Sequence, residues 1–314
     1  NLSDLIYPTD VYMGAVILES LTTNRFAQSG VFQQDAELAA SLSQKGVIFH
    51  PRYFNPLTEG EPDLGADTGS AGTASAITMA DTAARKLWYN KAWGSASLNQ
   101  FLNGEDPLTA ITQQTGAYWA NVDEDVLLNQ VAGVIADNIA NDSSDMVTDG
   151  TSAVATAAAI TDAMAFTVDT FITAKSQMGD LMDSAFACIV VHSKVYADML
   201  RANLIDYVPT ADQSGTIPTY LGIQVIIDDD CPATVFDTTG IKYTSYLFGK
   251  GSVAYASAPA PVSPVALDRD ESALNNTGST TLYERFVKVI AVYGDEWSDS
   301  SVAADFPTYA EMAA

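Results

Sequence analysis

The sequence predicts an α+β fold built around one very long helix. Three observations carry this. A stretch rich in β-formers, GVIFHPRYF, runs into a glycine-rich acidic tongue. An apolar pattern at helical spacing then continues from Asp106 to Asn141. Beyond it, strand and helix patterns alternate for most of the remaining chain. Loops as long as the tongue are usually functional or disordered. Beside so long a helix, the tongue suggests surfaces shaped for neighbouring copies of the same chain.

Residues 1–45 read as an arm. Pro8, Thr9 and Asp10 can open a helix near Val11, Ser20–Gly30 is polar, and Asp35–Leu42 is short and amphipathic. Its apolar surface is too sparse for a core of its own, so the arm should lie across another element. Residues 46–94 form an extended loop. Val47–Phe54 is strand-like, and the tongue runs from Asn55 to Thr78, with Gly60, Gly65, Gly69 and Gly72 among Glu59, Glu61, Asp63 and Asp67. The returning segment ITMADTAARKLWYNKAW can pair back as a hairpin, anchored by Trp88, Tyr89 and Trp93.

Residues 95–150 hold the long helix. Asp106 is the expected N-cap and Pro107 the first helical residue. Leu108, Ile111, Thr115, Tyr118, Trp119, Val122, Val126, Val131, Val134, Ile135 and Ile139 follow near helical spacing, over roughly 50 Å. Gly116 and Gly133 are poor helix formers that could interrupt it. Asp123, Glu124 and Asp125 break the apolar stripe and read as a solvated face. After the turn-rich DSSDMVTDGTS, residues 151–262 read as a mixed α/β unit. It contains a helix from about Val154 to Gln177, the strand AFACIVVH, the helix SKVYADMLRANL, the hinge VPTADQSGTIP, the strand LGIQVIIDDD, and TSYLFGKGSVAYAS. Residues 263–314 follow the link APAPVSP. There Thr280–Trp297 forms a long strand that must return to pair with earlier parts of the chain.

The net charge of -25 arises from 29 Asp and 10 Glu against 8 Lys and 6 Arg. Without a basic stripe, direct recognition of DNA or RNA phosphates is disfavoured, and an anionic membrane would repel the chain. The same charge suits the wall of a container that must not stick to a polyanion. An apolar fraction of 47% permits a substantial core. Cys188 and Cys231 lack CxxC spacing and read as buried free thiols. No stretch reads as a secretory signal, and Val11–Leu18 is too short to span a bilayer.

Few motifs invite chemistry. Asp67-Thr68-Gly69 spells an aspartic-protease triplet, but that mechanism needs two carboxylates sharing a proton, and one copy is present. Phe248-Gly249-Lys250-Gly251-Ser252 resembles a phosphate loop but fails at Thr244 and Gly251, so a turn between strands is the better reading. Asp228, Asp229 and Asp230 are candidate ligands for a divalent cation. The full calcium-loop pattern is missing, so a solvated strand end is the simpler reading. The acidic tongue, Glu59, Glu61, Asp63 and Asp67, has the same two readings. His192 opens a helix and reads as structural, and His50 is the one other histidine. No catalytic or cofactor-binding residue is assigned, and no cofactor is expected.

The order of parts resembles the HK97-like major capsid proteins of tailed double-stranded DNA bacteriophages. LWYNKAWGSASLNQFLNGEDPLTAI is similar to the segment joining the extended loop to the spine helix. AFACIVVHSKVYADMLRANLID, IPTYLGIQVIIDDDCPA and YLFGKGSVAYASAP are similar to axial-domain segments, and LYERFVKVIAVYG to the returning peripheral strand. The resemblance covers nearly the whole chain. It implies an arm (1–45), an extended loop (46–94), a peripheral domain with the spine helix (95–150), an axial domain (151–262), and a return to the peripheral domain with the C-terminal tail (263–314). It further implies a virion protein, assembled in the host cytoplasm into pentamers and hexamers of an icosahedral shell. That shell would enclose double-stranded DNA without sequence-specific binding, with scaffold, portal and decoration proteins as further partners. An encapsulin-type compartment is the alternative within the fold, and a stand-alone hydrolase the alternative outside it. Some relatives cross-link a loop lysine to asparagine. No lysine lies between Lys45 and Lys86, so no such bond is expected here.

Overall fold

A computed structural model describes residues 9–34, 36–50, 52–55, 57, 76–81, 83–96, 107–151, 164–209, 216–235, 240–298, 302–303 and 305–313. Most of the tongue, including Asp67-Thr68-Gly69 and Glu59, Glu61 and Asp63, lies outside the described residues, as does the expected cap Asp106.

The expected long helix is continuous from Pro107 to Asn141 (α4). Its two glycines do not break it, because each is a point of close approach. The first arm helix, Thr9–Thr23 (α1), crosses α4 where a Cβ on Gly116 would come 2.5 Å from the carboxyl carbon of Glu19. At the C-terminal end, Tyr309–Met312 (α7) packs so tightly that a Cβ on Gly133 would collide with the Met312 carbonyl oxygen. Between them sits the short helix Arg25–Ser29 (α2). Asn24 caps it by accepting from the Ala27 amide, and donates from its own amide to the Ala120 carbonyl of α4 at 3.2 Å. The arm thus lies along α4, as its sparse apolar pattern required.

The first sheet is organised by its longest strand, Ser279–Val292 (β16), which is the expected return strand. On one edge β16 pairs antiparallel with Leu87–Ala96 (β6). On the other it pairs with Val265–Asp270 (β15) and then Val253–Pro259 (β14), both antiparallel. Phe32–Gln34 (β1), from the arm, adds to β14 in parallel. Alternation along β16 gives it two covered faces. Val287 and Val289 pack with Leu38 and Leu42, from and just beyond the helix Ala36–Ser41 (α3), and with Ala84, Ala254 and Ala256. Phe286 packs with Trp119 of α4 and Met13 of α1, and Ile290 joins the main cluster around Val126, Leu127 and Tyr255.

The second sheet runs β13-β7-β10-β9-β8. Phe186–Val191 (β7) is parallel to Ile223–Ile227 (β10) and antiparallel to Tyr246–Gly249 (β13). Thr216–Tyr220 (β9) and Asp206–Pro209 (β8) extend it beyond β10. Ile189, Val191 and Val225 face Phe171 of the helix Val168–Ser176 (α5) and Val195 and Met199 of Ser193–Arg201 (α6). Cys188, Val190, Ile226 and Phe248 face Phe26, Leu127 and Val131, so this sheet's other side closes on the arm and α4.

Two expectations need correction. The helix expected from Val154 begins, among the described residues, at Val168. Thr167 is extended and forms a reciprocal capping box with Thr170, which starts a helix there rather than continuing one. The segment TSYLFGKGSVAYAS, expected whole within the 151–262 unit, divides between the sheets, with β13 in the second and β14 in the first. The chain crosses between them at Lys250-Gly251, where Gly251 takes φ +61°. The extended loop is a hairpin in its described arms, with Ile48–Phe49 (β2) paired to Ala84–Arg85 (β5) and Arg52–Phe54 (β3) to Met79–Asp81 (β4). Ala233–Val235 (β11) and Ile241–Tyr243 (β12) form a further small hairpin.

These contacts separate the two glycines of α4. Alanine gains up to about 1 kcal/mol of helix propensity over glycine. At Gly116 the obstacle is a flexible Glu19 side chain, so Gly116→Ala should hold or raise the thermal midpoint. At Gly133 the obstacle is backbone, so Gly133→Ala should lower it by several degrees, as read by circular dichroism melts of both variants.

Candidate functional site

Asp123, Glu124 and Asp125 do not form the solvated face expected of them. Asp123 and Glu124 are buried, and each finds a cation on a distant element. Asp123 pairs with Lys288 of β16 at 2.6 Å, with the two side chains 3% and 1% exposed. Its second oxygen accepts from the Tyr255 hydroxyl at 2.8 Å. The Lys288 ammonium lies 5.0 Å from the Trp119 ring centroid and 5.4 Å from that of Phe286, so its remaining surroundings are aromatic faces that favour a cation. Burial and the Asp123 carboxylate hold the Tyr255 hydroxyl far above the usual tyrosine range.

Two β-repeats from Lys288, Glu284 is fully buried. It accepts from the Trp119 indole at 2.8 Å and from the Tyr12 hydroxyl at 2.5 Å. Both donors are neutral, and burial raises the Glu284 carboxyl above the usual range. Glu284, Phe286 and Lys288 share one face of β16, so this strand lays alternating polar and aromatic groups against α4. The signal was present in LYERFVKVIAV: charged residues at 284 and 288 sit in phase inside an apolar strand.

Arg25 makes the third link. Its backbone amide donates to Glu124 at 2.8 Å and its Nε to the same carboxylate at 3.0 Å. One terminal nitrogen bonds both Glu124 and, at 2.7 Å, Asp228; the other donates to the Ile227 carbonyl. A single guanidinium therefore joins the arm, α4 and the end of β10 in the second sheet.

The aspartate triplet after β10 serves three directions. Asp228 is buried against Arg25, which corrects its reading as a solvated strand end. Asp229 is exposed and accepts the Ser193 amide at 3.1 Å at the start of α6. Asp230 is exposed, and its backbone amide donates to the Asp228 carboxylate at 3.0 Å; burial first, and then the charge of Asp230, raise the Asp125 carboxyl of α4 to about 6. Among the described residues no group of three or more His, Cys, Asp or Glu side chains is arranged to hold a metal ion. His192 caps α6, its ring accepting the Lys194 amide at 3.1 Å. His50 stands near Asp81 at 3.6 Å. Cys188 and Cys231 are buried free thiols, pushed up to about 12 chiefly by burial. Phe248–Ser252 is the crossover between sheets already described. No described helix is long and apolar enough to cross a membrane.

The surface most unlike a monomer's is the hairpin of the extended loop. Phe54 and its cross-strand partner Met79 are both exposed, as are Leu57 and Ile77 on the adjoining residues. Clustered apolar exposure of this kind marks an interaction surface.

Replacing Arg25 by Met would leave the buried Glu124 and Asp228 carboxylates without their cation. The Arg25 side chain is itself 42% exposed, so the expected cost lies at the low end for a broken buried pair, about 3 kcal/mol. Equilibrium denaturation reads that loss, and limited proteolysis should show earlier cleavage within residues 9–34.

No family model matches the chain. The chain is 29% identical over 317 aligned positions to the major capsid protein of Bacillus phage SPP1, covering 100% of this chain and 91% of that protein. Its structure aligns with the capsid of Ralstonia phage GP4 at a TM-score of 0.60, covering 86% of each chain at 10% identity. It aligns with the capsid of cyanophage Pam1 at 0.52, covering 87% of this chain and 89% of that one at 15% identity. The fold described above thus recurs in phage capsids. The chain has the HK97-like capsid fold and is a full-length relative of a phage major capsid protein.

Proposed function

We propose that this chain is a major capsid protein whose copies assemble into pentamers and hexamers, and these into the icosahedral shell around a tailed phage's genome. The observation that carries the reading is the full-length similarity to the SPP1 major capsid protein. The exposed apolar hairpin at Phe54, Leu57, Ile77 and Met79 supports it, because a shell subunit must keep such surface for its neighbours. The net charge of -25 supports it as well, since an acidic wall does not trap the DNA it encloses. The role is structural. On this reading the arm and α4 with the first sheet form the peripheral part of the subunit and the second sheet the axial part. The virion is its location, the host cytoplasm its place of assembly, and scaffold, portal and decoration proteins its further partners.

Deletion of Leu57–Ala76 tests the assignment of the loop. The variant should keep the far-ultraviolet circular dichroism of the folded subunit, because both sheets and α4 lie outside the deletion. It should fail to give closed shells in negative-stain electron microscopy and light scattering, under conditions where the full chain gives them. Stable shells of normal size from the deletion would remove the loop from the assembly mechanism.

A further inference from the structure

The extended loop leaves the body of the chain along one line. Its outgoing arm turns at Gly46, at φ +104°, a left-handed conformation that favours glycine. Its returning arm passes from β5 to β6 at Lys86, whose amide donates to the Val47 carbonyl at 2.7 Å. Beyond this line the described hairpin is a thin ribbon, with two paired positions in β2–β5 and three in β3–β4. So short a two-stranded ribbon is marginal on its own in water. Its direction is set at its base.

Arg85 and Lys86 are consecutive buried cations, and each reaches a different end of the chain. The Lys86 ammonium donates to the Gln44 carbonyl of the arm at 2.9 Å. The Arg85 guanidinium donates to the Asp305 carbonyl of the C-terminal tail at 2.6 Å. It also lies 5.9 Å from the Trp297 ring centroid, within reach of a cation–π contact. The Trp297 amide in turn donates to the Ala83 carbonyl at 3.1 Å. The tail is fastened at its other end as well. Glu311 gathers it into a knot, accepting from the Ala303 amide at 3.0 Å, the Thr308 amide at 2.7 Å and the Thr308 hydroxyl at 2.9 Å. One residue on, Met312 sits against the bare backbone of α4 at Gly133.

We propose that the C-terminal tail is a strap, running from α4 to the base of the extended loop and fixing the direction in which the hairpin points. Released from the tail, the hairpin swings about Gly46 and Lys86 while both sheets stay folded. Phe54, Leu57, Ile77 and Met79 ride on this hairpin, so the strap sets where that apolar surface is presented. The tail meets the loop through backbone atoms, the Asp305 carbonyl and the Trp297 amide. The hold therefore depends on the path of the tail, and Glu311, which shapes that path, acts on the loop without touching it. The strap belongs to the single chain and goes beyond the capsid reading.

Hydrogen exchange of the unassembled full chain, read by mass spectrometry, tests the strap, and its outcome does not depend on the capsid reading. Arg85→Gln cuts the strap at the loop, and Glu311→Ala loosens it at the tail. Arg269→Gln, which breaks the exposed Arg269–Glu271 pair at the end of β15, is the control. Hydrogen bonds to charged groups are the stronger ones, so protection of residues 47–54 and 79–86 should fall about tenfold in both strap variants. Peptides from α4 and the second sheet should keep their wild-type protection, and the control should match the wild type throughout. The deciding result is transmission. Glu311→Ala should speed exchange in the hairpin, to which Glu311 makes no bond among the described residues, and Arg85→Gln should speed exchange in residues 302–313. If Glu311→Ala fails to fold, Thr308→Ala, which removes the cap of α7, reads the same transmission. Variants that each loosen their own segment alone, unchanged exchange in both, or a loss of protection spread through α4 and both sheets would overturn the proposal.

Discussion

The Asp123–Lys288 pair holds the longest helix against the longest strand, and the rest of the molecule is arranged around that union. Both charges are removed from water, so neither can lose the other cheaply. Breaking such a pair by removing one partner costs about 3–5 kcal/mol. The Tyr255 hydroxyl and the faces of Trp119 and Phe286 fill the space that water would otherwise take. A purely apolar seam between helix and sheet could slide by a turn. A seam with one cation and one anion at fixed heights has a single register. Glu284, bonded to Trp119 and Tyr12, adds a second fixed height and brings in the arm.

From that register the other contacts follow. With α4 fixed on β16, Gly116 and Gly133 face α1 and α7, and the absence of side chains lets both helices settle close to its backbone. Arg25 then reaches Glu124 on one side and Asp228 on the other, which couples the first sheet's helix to the second sheet. The coupling is apolar as well as polar, because one cluster joins Cys188, Val190 and Ile226 of the second sheet to Phe26, Leu127 and Val131 and to Tyr255 and Ile290 of the first. A subunit built this way has two sheets closed on a shared apolar core, with the Arg25 ion pairs beside it. The base of the extended-loop hairpin packs on the first sheet through Ala84, and its outer part leaves Phe54, Leu57, Ile77 and Met79 uncovered.

Much of this was legible in the residues. The 35-residue helix announced itself through apolar spacing, and the return strand through a long stretch rich in β-formers. The hairpin arms, the need of the arm to lie across another element, and His192 as a structural residue were legible for similar local reasons. The buried charges were misread because their partners are remote. Asp123 and Lys288 are separated by 165 positions, and Arg25 and Asp228 by 203, so local context showed only acidic runs that usually meet solvent. The glycines of α4 were read as weaknesses because propensity is local, while the helices that need them lie far along the chain. The crossover at Gly251 was missed for a related reason. Two adjacent strands normally pair with each other, and nothing in YLFGKGSVAYAS shows that β13 and β14 join different sheets.

The most direct test of the union on which this account depends is a double-mutant cycle on Asp123→Asn and Lys288→Met, read by equilibrium denaturation of the full chain. Each single variant should be strongly destabilised, and the double variant should recover part of the loss. The account predicts a coupling energy of about 2–3 kcal/mol, at the upper end for interacting residues. A coupling below about 0.5 kcal/mol, the range of independent sites, would show that the pair does not hold the helix to the strand.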